Sequence, residues 1–177
     1  AILLWLVQNT RKIKQHISAS PFMNKSDIRK IVKERITLMS VENKQEESII
    51  VCKKLKEMLE VKDFQTLVAY HPFDDEVDIS EVSNWCAERW KKVITIPQSL
   101  ETFDAPNDGI IIIPGRAFTE NGKRIGRWSG YYDALLTKNP SLWTIGVCFR
   151  AQIFADLPED AWDKRVDMVV FAGNTLE

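Results

Sequence analysis

Histidine is almost missing from this chain, with two residues in 177, and cysteine is nearly as sparse, with three. Two histidines hardly supply a Ser-His-Asp or Cys-His constellation, so catalysis through a histidine-activated nucleophile is disfavoured. Cys52, Cys86 and Cys148 are odd in number, widely spaced and in no CxxC pair. They provide neither a disulfide framework nor a zinc site and suit a reducing compartment. Excess charge is lacking too: 24 Lys and Arg face 25 Asp and Glu, a formal net charge of −1. That balance argues against non-specific binding to nucleic acid or to anionic membranes. The apolar opening, Ile2 to Val7, is too short to cross a bilayer, and the basic leading region of a secretory signal is absent. No repeat, low-complexity tract or interdomain linker is visible. What is present, 45% hydrophobic and 28% charged residues, describes a globular domain with its own core.

Helical and strand patterns alternate along the chain. Residues 1–23 read as an extension, flexible or docked as a strand, ahead of one domain over 24–177. Ile28, Ile31, Val32, Leu38 and Met39 recur with a helical period after Asn24, a suitable N-cap. A second helix is predicted from Val41 to Leu59, capped by Ser40, with Val51, Cys52, Leu55, Met58 and Leu59 inward. Thr66 to Tyr70 reads as a strand ending at His71-Pro72. Asp78 to Glu81 has capping-box spacing and opens a helix burying Val82, Trp85, Cys86 and Trp90. Val93 to Ile96 and Ile110 to Ile113 lack polar alternation and read as strands covered on both faces. A short helix at 131–137 and strands at 144–149 and 168–171 complete the set. This order predicts an α/β sandwich, a single domain whose largely parallel central sheet is flanked by helices.

The chemistry concentrates in GRAFTENGKRIGRWSGYYD, Gly115 to Asp133, with four glycines and the cations Arg116, Lys123, Arg124 and Arg127. Glycines let backbone N–H groups approach a phosphate, and cations neutralise it. A helix starting near Tyr131 would add its N-terminal donors. The spacing matches neither GxxxxGK[ST] nor a dinucleotide fingerprint. Two readings stay open on these grounds: a phosphate-binding loop, or a solvated hairpin turning at Asn121-Gly122 whose charges keep it soluble. Lys25 and Arg29, at i and i+4, share a helix face that is either anion-binding or merely solvated.

The string IIIIPGRAFTENGKRIGRWSGYYDALL resembles the signature of the 5-formyltetrahydrofolate cyclo-ligase (methenyltetrahydrofolate synthetase) family. Lys25-Ser26-Asp27-Ile28-Arg29, Glu76-Val77-Asp78 and Trp162-Asp163-Lys164-Arg165-Val166-Asp167 resemble three further family motifs in the same order. The resemblance implies a ligase of folate and one-carbon metabolism. ATP and magnesium would drive closure of 5-formyltetrahydrofolate to 5,10-methenyltetrahydrofolate, releasing ADP and phosphate, with no protein nucleophile. It further implies ATP binding by Lys25, Arg29, Arg124, Gly126, Arg127, Trp128, Ser129, Gly130, Tyr131 and Tyr132. Arg127 and Tyr131 would be catalytic, with Arg127 stabilising the transferring phosphoryl group. Tyr70, Glu76, Phe118 and Tyr131 would hold the folate, Glu76 by accepting hydrogen bonds from the pterin. Asp133 and Asp163 would ligate magnesium; for Asp163 a turn or N-cap role is the other reading. Asp74, Asp75 and Asp78 read as solvated loop charge or caps. A cytoplasmic monomer or weak homodimer that meets a small-molecule substrate is expected, an organelle being the other location.

Departures from the family pattern define a second reading. Trp128 stands where glycine is usual and either stacks on a ligand or blocks the site. Ser129, Ile79 and Trp162 also differ from the pattern, and only ten residues separate Pro97 from Asp108 where several tens are usual. The alternative is therefore a diverged member that binds nucleotide or folate without turnover.

Overall fold

The computed structural model describes residues 23–96, 106, 109–127 and 130–173. Its centre is the isoleucine run. Gly109–Pro114 forms strand β3, and all six residues are buried. β-Branched side chains suit extended backbone, and such a run stays dry only in a sheet covered on both faces. β3 pairs in parallel with β1 (Thr66–Ala69) on one side and with β6 (Trp143–Cys148) on the other. β2 (Lys92–Thr95) extends the sheet beyond β1, and β7 (Met168–Phe171) extends it beyond β6. The order β2-β1-β3-β6-β7 is parallel throughout.

Alternate residues feed two apolar layers. Leu67, Ala69, Ile110, Ile112, Ile145, Val147 and Val170 join one layer with helices α1 (Lys25–Thr37), α2 (Val41–Glu60) and α3 (Ser80–Glu88). Val68, Ile111, Ile113, Cys148, Val169 and Phe171 join the other with α4 (Tyr131–Lys138). The single α/β domain with helices on both faces of a parallel sheet is as the periodicity predicts.

Asn24 and Ser40 cap α1 and α2 by accepting from Asp27 N and Asn43 N, as their positions suggest. Four local readings are corrected. Ile36, not Leu38, completes the buried stripe of α1; Leu38 is 86% exposed because the helix ends at Thr37. The capping box does not form: Asp78 accepts from Ser80 N at 2.9 Å, and Ile79 occupies the N-cap without a side-chain bond. Trp90 is 95% exposed, in a left-handed turn (φ 63°) beyond the end of α3. β2 is only half-buried, being an edge strand with Lys92 and Thr95 exposed. Of the extension at 1–23 all but Met23, and of the shortened segment between Pro97 and Asp108 all but Pro106, lie outside the described residues.

After β3 the chain forms a small antiparallel hairpin, β4 (Ala117–Phe118) with β5 (Arg124–Ile125). Its turn needs Gly122 (φ 88°), where any Cβ would also strike the carbonyl oxygen of Val166. Phe118 lies wholly buried, its ring filling the space left by Gly115 and Gly146. A Cβ on Gly115 would sit 2.6 Å from that ring, and one on Gly146 would press still closer. We expect Gly146→Ala to cost about 1–3 kcal/mol through overpacking, read as a lower denaturant midpoint at unchanged m-value. Wild-type stability would show that the ring can move.

Candidate active site

In a doubly wound sheet, ligands enter where neighbouring strands send their connections to opposite sides, at the carboxyl ends. Here that point lies between β1 and β3, since the chain leaves β1 for β2 and then returns to β3. A cavity of about 420 Å³ opens there. Tyr70, His71, Phe73 and Glu76 line it from the segment after β1, Ile96 from beyond β2, and Pro114 and Gly115 from the end of β3. Arg127, Tyr131 and Tyr132 close it from the link and first turn of α4. Gly130, with φ 80°, allows the sharp entry into that helix. The walls are mainly aromatic, and the rings of Tyr131 and Tyr132 meet edge to face at 5.2 Å.

Charge in the pocket is held by a bridge across it. Arg127 pairs with Asp75, stands 3.4 Å from Glu76 and lies 4.7 Å over the Phe73 ring. Asp75 also takes Arg116 at 2.6 Å. Burial would push Asp75 up, but the two guanidiniums outweigh it and hold the carboxyl below its usual range. Glu76 goes the other way. Burial raises it although Phe73 N–H (3.1 Å) and Arg127 stabilise its charge. The Tyr70 hydroxyl donates to Val77 O, fixing the ring beside Glu76.

A second cluster lies where the 160–164 turn meets the first turn of α4. Asp133 accepts from Lys164 N and from Arg124 Nη2, each at 3.0 Å. Asp163 accepts from Asp160 N at 2.7 Å and from Lys25, which also reaches Asp160 at 2.6 Å. Burial works against the charge on Lys25, yet the two aspartates raise its pKa overall. Arg29 donates from Nε to Gly126 O at 2.9 Å, tying α1 to the glycine-rich link. Arg124 is enclosed beneath, and its Nε and Nη1 have no partner among the described residues. The guanidinium pairs with Asp133 and lies 5.5 Å over the Tyr132 ring, and its two remaining N–H groups favour a further anion nearby.

The expected site residues therefore fall into two groups. Tyr70, Glu76, Arg127, Tyr131 and Tyr132 share the cavity. Lys25, Asp133 and Asp163 gather at the second cluster, which Arg29 and Gly126 join to the link. Phe118 does not line the cavity; it is a core side chain beneath it, buried because Gly115 and Gly146 leave it room. Trp128 and Ser129 lie outside the described residues. Asp75 is no solvated loop charge but the partner of two arginines, and sequence spacing could not show this because Arg116 and Arg127 come from another segment. His71 and Phe73 were also missed, although their position directly after a strand end was the available signal. Among the described residues no helix is long and apolar enough to cross a membrane, and no cluster of three metal-ligating side chains occurs.

Comparison with known proteins follows the same lines. A sequence model of the 5-formyltetrahydrofolate cyclo-ligase family matches residues 98–172. The 5-formyltetrahydrofolate cyclo-ligase of Mus musculus is 34% identical over 67 residues, covering 35% of this chain and 33% of the relative. The probable 5-formyltetrahydrofolate cyclo-ligase of Schizosaccharomyces pombe is 33% identical over 73 residues, 34% of this chain and 36% of the relative. The chain thus spans about a third of the length of the curated relatives it matches. A 5,10-methenyltetrahydrofolate synthetase from Mycoplasma pneumoniae superposes with a TM-score of 0.73 at 23% identity, covering 85% of this chain and 100% of that one. Its counterpart from Aquifex aeolicus gives 0.68 at 29% identity, covering 88% and 97%. By sequence over residues 98–172 this chain is similar to the 5-formyltetrahydrofolate cyclo-ligase family, and by fold over most of its length it is similar to two 5,10-methenyltetrahydrofolate synthetases.

Proposed function

We propose that the chain is an ATP-dependent ligase that closes 5-formyltetrahydrofolate to 5,10-methenyltetrahydrofolate. The observation that carries this reading is the convergence of Tyr70, Glu76, Arg127 and Tyr131, from separate segments, on one aromatic cavity at the switch point. A pterin ring suits such walls, and the Glu76 carboxyl oxygens would accept from its amino group and ring N–H. In the reaction the formyl oxygen attacks the γ-phosphorus and ADP leaves. The folate's second amine then bonds to the activated carbon, its proton is lost, and the C–O bond breaks to release phosphate. The protein supplies position and charge rather than a nucleophile. Arg127, at the cavity wall, would stabilise the transferring phosphoryl group, and Tyr131 would orient the formyl end.

Lys25, Arg29, Arg124, Gly126, Gly130 and Tyr132 would hold the nucleotide, together with Trp128 and Ser129. The Nε and Nη1 groups of Arg124, which have no hydrogen-bond partner among the described residues, support an anion on this side. Asp133 and Asp163 are hard oxygen donors beside one another's segments, and they fit a magnesium ion that arrives with phosphate oxygens and waters. Bound there, magnesium would neutralise charge on the phosphates. The three cysteines are free and buried, and burial raises Cys52 and Cys86 to about 11. Free thiols in no disulfide suit a reducing, cytoplasmic setting.

Three outcomes are expected. Protein, 5-formyltetrahydrofolate, magnesium and ATP should yield the methenyl product, followed by its absorbance. A folded protein that binds ATP without product would instead be the non-catalytic member. Arg127→Ala should lower kcat/KM by more than about tenfold, roughly 1.4 kcal/mol. Because the pKa of Glu76 is raised, its charge is lost at higher pH than for an exposed glutamate. KM for the folate should therefore begin to rise above the ordinary carboxylate range as pH falls, and Glu76→Gln should flatten that rise.

A further inference from the structure

Asp75 has a place in the cavity that none of the sequence motifs gives it. One carboxylate oxygen pairs with Arg116 Nη1 at 2.6 Å and the other pairs with Arg127 Nη2. Arg116 follows β3 directly and is itself fixed, its N–H donating to Ile125 O at 2.6 Å. Asp75 therefore stands between an anchored cation and one on the cavity wall. Arg127 is meanwhile 3.4 Å from Glu76, whose side chain is 9% exposed. Two neighbouring carboxylates thus compete for one guanidinium, and the shorter contact belongs to Asp75.

We propose that Asp75 is a positioning residue that keeps the Arg127–Glu76 contact long, at 3.4 Å, leaving the Glu76 carboxylate available to a folate and the guanidinium directed across the cavity. Without Asp75, Arg127 closes on Glu76 as a full ion pair, which fills the acceptor and draws the cation away from the reacting end. Arg116 takes part through Asp75 alone: it orients the carboxylate and keeps it charged. The Phe73 ring, 4.7 Å beneath Arg127, limits the other directions in which the guanidinium can swing. This deepens the proposed function and rests on it.

The test uses the full chain with Asp75→Asn, Asp75→Glu and Arg116→Gln, each first shown to be folded by its thermal transition. Asp75→Asn should raise KM for 5-formyltetrahydrofolate about tenfold and lower kcat, while KM for ATP changes less than about threefold. The Kd for 5-formyltetrahydrofolate without ATP, read from tryptophan fluorescence, should rise in parallel. Arg116→Gln should reproduce the split, and the double variant should be little worse than either single one. Asp75→Glu, which keeps the charge, should recover part of the loss. A folded Asp75→Asn with unchanged folate KM and Kd overturns the proposal, as does an equal loss toward ATP, which marks a general structural role. A wild-type protein that neither binds nor converts 5-formyltetrahydrofolate is distinguishable from both. It removes the proposed function, and the role of Asp75 falls with it.

Discussion

A strand buried on both faces can offer chemistry only at its ends, and β3 imposes that constraint on the whole molecule. The isoleucines at 110–113 commit both sides of β3 to apolar layers, so this central strand presents nothing polar from either face. The connections must then carry the function. The reversal of direction between β1 and β3 leaves a gap at their carboxyl ends, into which the segment after β1 and the entry to α4 both project. The cavity is a consequence of strand order more than of any single side chain.

The charges around it are almost all neutralised within the chain. Arg116, Lys123, Arg124 and Arg127, the four cations of the glycine-rich segment, pair with Asp75, Asp156, Asp133 and again Asp75. The near-neutral sequence thus has a local counterpart, since the basic loop is matched by acids from elsewhere. For exposed pairs such as Lys123–Asp156 the energetic value is small. For the enclosed ones the pairing decides geometry, because an unpaired guanidinium there would be costly.

How much of this was legible in the sequence follows the range of each interaction. The caps Asn24 and Ser40 and the buried stripe of α2 rest on contacts within a few residues, and they were readable from spacing. β3 was readable because six buried residues leave no other pattern. The strand expected at Val93 to Ile96 is present at 92–95, but its residues do not reveal that it lies at an edge rather than covered on both faces, which only strand order decides. Motif order brought Glu76, Arg127 and Tyr131 together before any coordinates did. It said nothing of Asp75, whose two partners lie 41 and 52 residues away. Phe118 was assigned to the ligand for a similar reason: the motif marks the residue but not which side of Gly115 its ring occupies.

The bond from Arg29 Nε to Gly126 O joins the first helix to the link that leads into α4. It means that Gly126 is tied to α1 when the chain folds, before any ligand arrives, so the entropy of fixing that one residue is already lost when binding begins. The cost appears elsewhere. α1 packs through Ile28, Val32 and Ile36, so fraying of its first turns would free Gly126 and uncover Ile28 from the core at the same time. The position of Gly126 is therefore tied to the local opening of one thirteen-residue helix.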